Sequence, residues 1–261
     1  MSDFGATDDS VAICKGVMLN IDRSIRIIDI THQVTPYSIL DGARFLAGAS
    51  ENYPKGTIFL TVIDPGVGSS RRAIVVKTER EQYFVLPDNG LITMVADRDK
   101  IDSVREISNS SWMIGKALSS TFHGRDIFAP VAARIARGDD WKSVGNEVVE
   151  PLIRLNIEKP ELRRDGLKGN IIGLDGPYGN LVTNITEELF VQLGYKYGSK
   201  VKIKIGKKLL FIPFVRTFSD VAVNRPLLYI DSRGKLAAAI NLGNFASRYK
   251  IQPPVEIFIS K

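Results

Sequence analysis

At 261 residues the chain is long enough for two domains or one large one, and a 44% hydrophobic fraction supports a packed core and excludes a disordered chain. No apolar run is long enough to span a bilayer, the opening residues lack the pattern of a signal peptide, and the single cysteine, Cys14, excludes an intrachain disulfide and fits a reducing cytoplasm. The net charge of +6 is scattered in short clusters such as Arg163-Arg164 and Lys207-Lys208, without a basic helix face or interleaved aromatics, so it reads as solvated surface that can steer an anionic substrate and does not point to nucleic acid.

Asp3-Phe4-Gly5 reads as the loop leaving a parallel strand, although only Met1 and Ser2 stand before it; the expectation is an upstream start with Met1 internal. Asp8-Asp9-Ser10 cap a helix running to about residue 20, with carboxylates at its positive end. Residues 25–30 read as a β-branched strand, and residues 38–49 as an amphipathic helix stopped by Pro54-Lys55-Gly56. Residues 57–63 are almost continuously apolar, which predicts a strand buried on both faces. Residues 73–76 and 83–86 form a strand pair, Pro87-Asp88-Asn89-Gly90 a loop entering a short helix, and residues 126–137 a helix ending near Gly138.

This alternation predicts a three-layer α/β domain with a mostly parallel central sheet over residues 1–155. A charged stretch without apolar periodicity places a linker at 156–168. Beyond it, residues 169–261 carry short strands at 169–174, 200–205, 209–215, 226–230 and 255–259, with one helix at 187–193. A small β-rich domain of barrel or sandwich type is expected.

The stretch Ile63-Asp64-Pro65-Gly66-Val67-Gly68 sets a carboxylate at a strand end ahead of a glycine turn. In a Rossmann-type methyltransferase such a turn opens a helix, whose N-terminus meets the cofactor. Here Ser69-Ser70-Arg71-Arg72 leads into the strand-forming Ala73-Ile74-Val75-Val76, which argues against that chemistry.

A second pattern runs through the chain. It comprises Asp3-Phe4-Gly5 with Asp8-Asp9-Ser10, Thr31-His32-Gln33-Val34-Thr35-Pro36-Tyr37, and Asp64-Pro65-Gly66-Val67-Gly68 with Arg71. It continues with Pro87-Asp88-Asn89-Gly90-Leu91, Phe122-His123-Gly124-Arg125-Asp126, Asp175-Gly176-Pro177-Tyr178-Gly179-Asn180 and Ser232-Arg233-Gly234. In this order the motifs resemble the S-adenosyl-L-methionine (SAM) hydroxide adenosyltransferases, relatives of the fluorinases and chlorinases. The resemblance implies attack of water at the ribose C5′ of SAM, releasing adenosine and L-methionine. It implies Asp64, Arg71 and His123 at the nucleophile, Asp3 on the ribose hydroxyls, and Tyr37 beside the ribose or adenine. It further implies Asp175 on the substrate amino group, Ser232 and Arg233 on its carboxylate, Asn180 and the Leu242 backbone on adenine, Tyr178 at the substrate in the same turn as Asn180, and Phe218 as an apolar wall. No metal or cofactor is implied, SAM being the substrate, and the assembly implied is a homotrimer with sites between subunits.

The residue types suit these tasks. Histidine titrates nearest neutrality, and an arginine cannot act as a base there but can lower the pKa of a bound water. Sequence alone does not choose between Asp64 and His123 as proton acceptor, and only spacing prefers Arg71 to Arg72. A carboxylate beside the nucleophile would repel a halide, which argues against halogenation. A non-catalytic SAM or adenosine sensor would keep Asp3, Asp175 and Arg233 without needing the Asp-Arg-His set.

Overall fold

A computed structural model describes residues 1–115 and 118–261, which divide into Met1–Leu155 and Asn156–Lys261. In the first unit, α1 spans Ser10–Ile21 and α2 spans Ile39–Ser50. Asp8 accepts from Ser10 N at 3.0 Å, and the Ser38 hydroxyl accepts from Asp41 N at 3.2 Å, so each helix begins where a short polar side chain can serve an orphan N–H. There follow β1 (Ile58–Leu60), β2 (Ala73–Thr78), β3 (Tyr83–Pro87), α3 (Thr93–Arg98), β4 (Ile101–Glu106) and α4 (Ala129–Arg137). α4 continues from a π-helical turn, Gly124–Phe128, and ends at Gly138, whose φ of 102° suits glycine.

The sheet order is β1-β3-β2-β4. β1 runs parallel to β3, whereas β2 is antiparallel to both β3 and β4. The sheet is therefore mixed. The short connection at residues 79–82 can join β2 and β3 only as antiparallel neighbours, since a parallel pair needs a crossover of a dozen residues or more.

Alternate strand residues feed opposite faces. Ile74, Val76, Phe84 and Leu86 pack with Leu46 and Val95 of α2 and α3, while Val75 and Val85 pack with Phe128 and Val131 at α4. Helices thus cover both faces, and each fully buried Ile, Val, Leu or Phe contributes about 1.5–3 kcal/mol. The strand expected at 25–30 joins no ladder. β-branched composition favours a strand but cannot supply a neighbour, and among the described residues no backbone group of 25–30 bonds to another backbone group.

The second unit is built from β5 (Glu161–Arg163), β6 (Gly166–Asp175), β7 (Asn180–Thr186), α5 (Glu187–Val191), β8 (Lys200–Ile205), β9 (Lys208–Pro213), β10 (Pro226–Ile230), β11 (Lys235–Ile240), α6 (Phe245–Tyr249) and β12 (Val255–Ser260). Its sheet runs β10-β11-β7-β6-β12-β8-β9, and β5, inside the stretch read as linker, pairs with β6. A bridge between Phe214 and Leu228 ties the end of β9 to β10, so the sheet nearly closes into a barrel. β8 shows the rule that fills the barrel: Val201, Ile203 and Ile205 are buried, while Lys200, Lys202 and Lys204 alternate outward.

Candidate active site

The first cluster forms where the chain leaves β1. Asp64 follows Ile63, whose carbonyl is held by Asn89 Nδ2 at 2.9 Å. The chain then turns back on itself, with Val67 N donating to Asp64 O and Ser69 N to Gly66 O, both at 3.1 Å. The turn brings Arg71 onto Asp64: Arg71 Nε donates to both carboxylate oxygens at 3.0 Å and Nη2 to Oδ2 at 2.5 Å. The same Nη2 lies 2.7 Å from His123 Nδ1. A guanidinium only donates, so Nδ1 accepts and the neutral ring carries its proton on Nε2. The Asp64 and Arg71 side chains are only 4% and 9% exposed, which strengthens these charge-assisted bonds.

Burial pushes the His123 pKa below its usual value, and the Arg71 charge adds to the effect; Asp64 and Asp126 oppose it more weakly. His123 is thus neutral at physiological pH. Gly68 joins its loop to the Asp64 turn. With φ of 79° it takes a conformation that other residues resist, and a Cβ there would lie 2.4 Å from Ser120 O.

Arg72 has a different task. Its guanidinium binds the buried Asp88 at 2.6 Å and the Pro151 carbonyl at 3.1 Å, and Asp88 also accepts from Ile153 N at 3.0 Å. Arg72 therefore fastens the chain end of the unit, and Arg71 alone reaches Asp64 and His123.

Asp3 accepts from Tyr37 N at 2.9 Å. Phe4, next to it, packs edge-on against Phe122 and touches Gly124, so the Asp3 loop adjoins the residues that flank His123. Tyr37 is 75% exposed and holds φ of 64°, a costly conformation for a bulky residue. His32 bonds to Ser2 Oγ at 2.8 Å and to Asp29 at 3.0 Å, a bracing role for the segment entering Asp3. Cys14 is buried, and desolvation raises its thiol to about 11, which leaves it a packing residue.

The second cluster lies in the second unit. Asp175, Tyr178, Asn180, Phe218, Ser232, Arg233 and Leu242, all singled out from sequence, line one cleft of about 730 Å³. Tight turns place them. Asp175 to Asn180 links β6 to β7 through a short 3-10 turn, where Ala246 N of α6 donates to Gly179 O at 3.0 Å. Ser232 and Arg233 sit in the β10–β11 turn, shaped by Asp231, whose Oδ1 accepts from Arg233 N and Lys235 N at 2.9 Å each. Asp231 and Tyr229 also line this cleft and were not singled out from sequence. The Asx turn was a readable signal for Asp231, two residues before Arg233. Tyr229 shares a tilted ring contact with Phe218 at 5.0 Å, and burial followed by the Asp175 and Asp231 charges raises its hydroxyl to about 12.

Comparison with known proteins completes this picture. Residues 1–145 match the SAM hydroxide adenosyltransferase N-terminal domain, and residues 169–257 match the C-terminal domain. The chain belongs to the SAM hydroxide adenosyltransferase family. It is similar to the (R)-S-adenosyl-L-methionine hydrolase of Salinispora tropica, 36% identical over 97% of this chain and 93% of that protein. It is also similar to the fluorinase of Actinoplanes sp., 31% identical over 100% of this chain and 96% of that protein. A crystal structure of an uncharacterized conserved protein from Thermotoga maritima covers 100% of this chain and 98% of its own, with TM-score 0.94 and 38% identity. Within the SAM hydroxide adenosyltransferase fold, the α/β unit carries the Asp64–Arg71–His123 set and the barrel-like unit the cleft residues. Among the described residues no helix is long and apolar enough to cross a membrane.

Proposed function

We propose that this enzyme hydrolyses SAM to adenosine and L-methionine. The observation that carries the reading is the continuous hydrogen-bonded set Asp64–Arg71–His123, in which one guanidinium serves a carboxylate and a neutral imidazole together. In the reaction, a water oxygen forms a bond to C5′ as the C5′–S bond breaks. The bonding pair goes to sulfur, which leaves as a neutral thioether, so the leaving group needs no acid. The water's proton must go to a base. Asp64 and His123 are the two candidates; His123 can accept only at Nδ1, and only if Arg71 releases it, because Nε2 carries the ring proton, while the fixed Arg71 charge lowers the pKa of the attacking water. Asp3 and Tyr37 are assigned to the ribose side. Asp175 is assigned to the substrate amino group, Ser232 and Arg233 to its carboxylate, and Asn180, Tyr178, Phe218 and the Leu242 backbone to the adenosine and the walls around it.

Two observations favour hydrolysis over halide transfer within the family. The Asp64 carboxylate would repel a halide at the nucleophile position. The fluorinase alignment also extends over 287 positions, more than this chain has residues, whereas the alignment with the Salinispora tropica hydrolase extends over 257. The reading carries with it a cytoplasmic location, a homotrimer, and a reaction that uses no metal or cofactor.

Chromatography of the products after incubation with SAM tests it. Adenosine and L-methionine in equal amounts are expected, and lost on His123→Ala with SAM binding retained. Intact SAM that still binds would mean a sensor, and S-adenosylhomocysteine would mean methyl transfer.

A further inference from the structure

The segment that carries Asp3 lies beside the segment that leads to Tyr37. Backbone bonds fix their course: Gly5 N donates to His32 O at 2.7 Å, Ser2 N to Thr31 O at 3.1 Å and Val34 N to Ser2 O at 3.4 Å. Side chains then hold the residue between. Phe4 N, in the peptide that follows Asp3, donates to Ser2 Oγ at 3.3 Å. Ser2 Oγ lies 2.8 Å from His32 Nδ1, and His32 Nε2 lies 3.0 Å from Asp29 Oδ1. Asp29 is itself bound by Lys15 Nζ at 2.6 Å.

The donors in this chain can be assigned. A carboxylate only accepts, so the neutral His32 ring carries its proton on Nε2 and points it at Asp29. Nδ1 is then an acceptor, and the Ser2 hydroxyl donates to it. That fixes the hydroxyl rotor and turns an Oγ lone pair to Phe4 N. Without the imidazole a serine hydroxyl is free to turn to a nearby backbone group. At the other end of the loop Asp3 Oδ2 accepts from Tyr37 N at 2.9 Å. The carboxylate is therefore held at two points, its backbone through Ser2 and His32 and one oxygen through Tyr37. Hydrogen bonds weaken steeply with misalignment, so a carboxylate that drifts loses a hydroxyl partner before the apolar contacts around it change.

We propose that His32 is a positioning residue for nucleoside recognition. Through Ser2 it sets the Asp3 carboxylate so that the enzyme distinguishes a ribose from a deoxyribose, with Asp29 fixing the tautomer. The proposal rests on the assignment of Asp3 to the ribose side.

Calorimetry on the full chain with adenosine and 2′,3′-dideoxyadenosine tests it. The parent should bind adenosine roughly tenfold or more tighter than the dideoxynucleoside. His32→Ala and Ser2→Ala should each reduce that ratio to about threefold or less, with dideoxyadenosine affinity changed by less than about twofold. His32→Asn keeps an acceptor near the place of Nδ1 and should recover most of the ratio. Both affinities come from one preparation, so a loss of folded protein does not move their ratio. Should His32→Ala fail to fold, the nearly isosteric Ser2→Ala still carries the test. The parent ratio persisting in either alanine variant would overturn the proposal and leave the network a stabilising one only. A parent that binds the two nucleosides equally, or binds neither, would instead overturn the ribose assignment of Asp3, and the proposal with it.

Discussion

The two clusters are organised by different forces. Around Asp64, side chain binds side chain: a buried carboxylate, a buried guanidinium and an imidazole hold one another within 3.0 Å. Around Arg233, the backbone does the placing, through an Asx turn at Asp231 and a glycine turn before Asn180, while Tyr178 and Leu242 remain 68% and 81% exposed. The difference teaches where function and stability are coupled. Removing one member of the first cluster leaves another buried and unsatisfied. Removing a side chain from the second leaves the turn that carried it intact.

The largest effect is expected from Arg71→Ala. It strands the Asp64 carboxylate and should cost about 3–5 kcal/mol of stability in addition to turnover. Denaturant unfolding measures the first and product release from SAM the second. Arg72→Ala should also destabilise, through Asp88, yet leave the remaining folded enzyme active. If both variants lost stability and both kept activity, the first cluster would be structural only.

Titration of His123 comes next. Its pKa is lowered in the folded enzyme, so the unfolded state binds the proton more readily. The His123 contribution to stability is therefore full above the ordinary value of 6.5 and is lost as pH falls through it toward the lowered folded pKa. Activity should hold near neutrality and fall on an acidic limb lying below pH 6.5, where His123 gains a charge beside Arg71. His123→Asn should remove that limb from the kcat/KM profile of whatever activity remains. Persistence of the limb in His123→Asn would assign it to Asp64 or to the substrate.

How much of this was legible beforehand follows the same division. The elements with strong periodicity were readable: residues 38–49 gave α2, and the Lys-Val-Lys-Ile-Lys-Ile alternation gave β8. β11 was not, because Lys-Leu-Ala-Ala-Ala-Ile holds a single β-branched residue, Ile240, after three alanines and becomes a strand through its partners β10 and β7. The sheet direction was not legible either, since a run of apolar residues reports burial and says nothing of the neighbour's polarity. In the sites, motif order singled out the residues and spacing preferred Arg71 to Arg72, but the physical reason lay in the turn's geometry, where Arg71 bonds Asp64 and Arg72 bonds Asp88. Asp88 lies sixteen residues beyond Arg72, and no local signal announces that pair.

A smaller effect should come from Gly68→Ala. The added methyl meets Ser120 O in a backbone conformation that alanine resists. A stability loss of about 1–3 kcal/mol is expected, with kcat reduced because the His123 loop is displaced from the Asp64 turn. Arg233→Ala should show the opposite pattern. KM should rise by roughly tenfold with stability within about 0.5 kcal/mol of the parent, since the Asp231 turn does not depend on the guanidinium. Equal losses of stability from both variants would remove the distinction drawn between the clusters.

The smallest change separates side chain from backbone in the cleft. Leu242 is 81% exposed with φ of 49°, a conformation that glycine adopts freely and leucine does not. The neighbouring Gly243 N donates to Ile240 O at 3.0 Å, so the turn is held without the leucine side chain. If the Leu242 backbone serves the substrate, Leu242→Gly should leave KM unchanged, because relief of the positive φ offsets the added chain freedom. If the exposed side chain itself covers the substrate, KM should rise while Tm stays the same. Leu242→Pro fixes the sign of the argument: proline cannot adopt this φ, so it should disturb the turn and raise KM under either account.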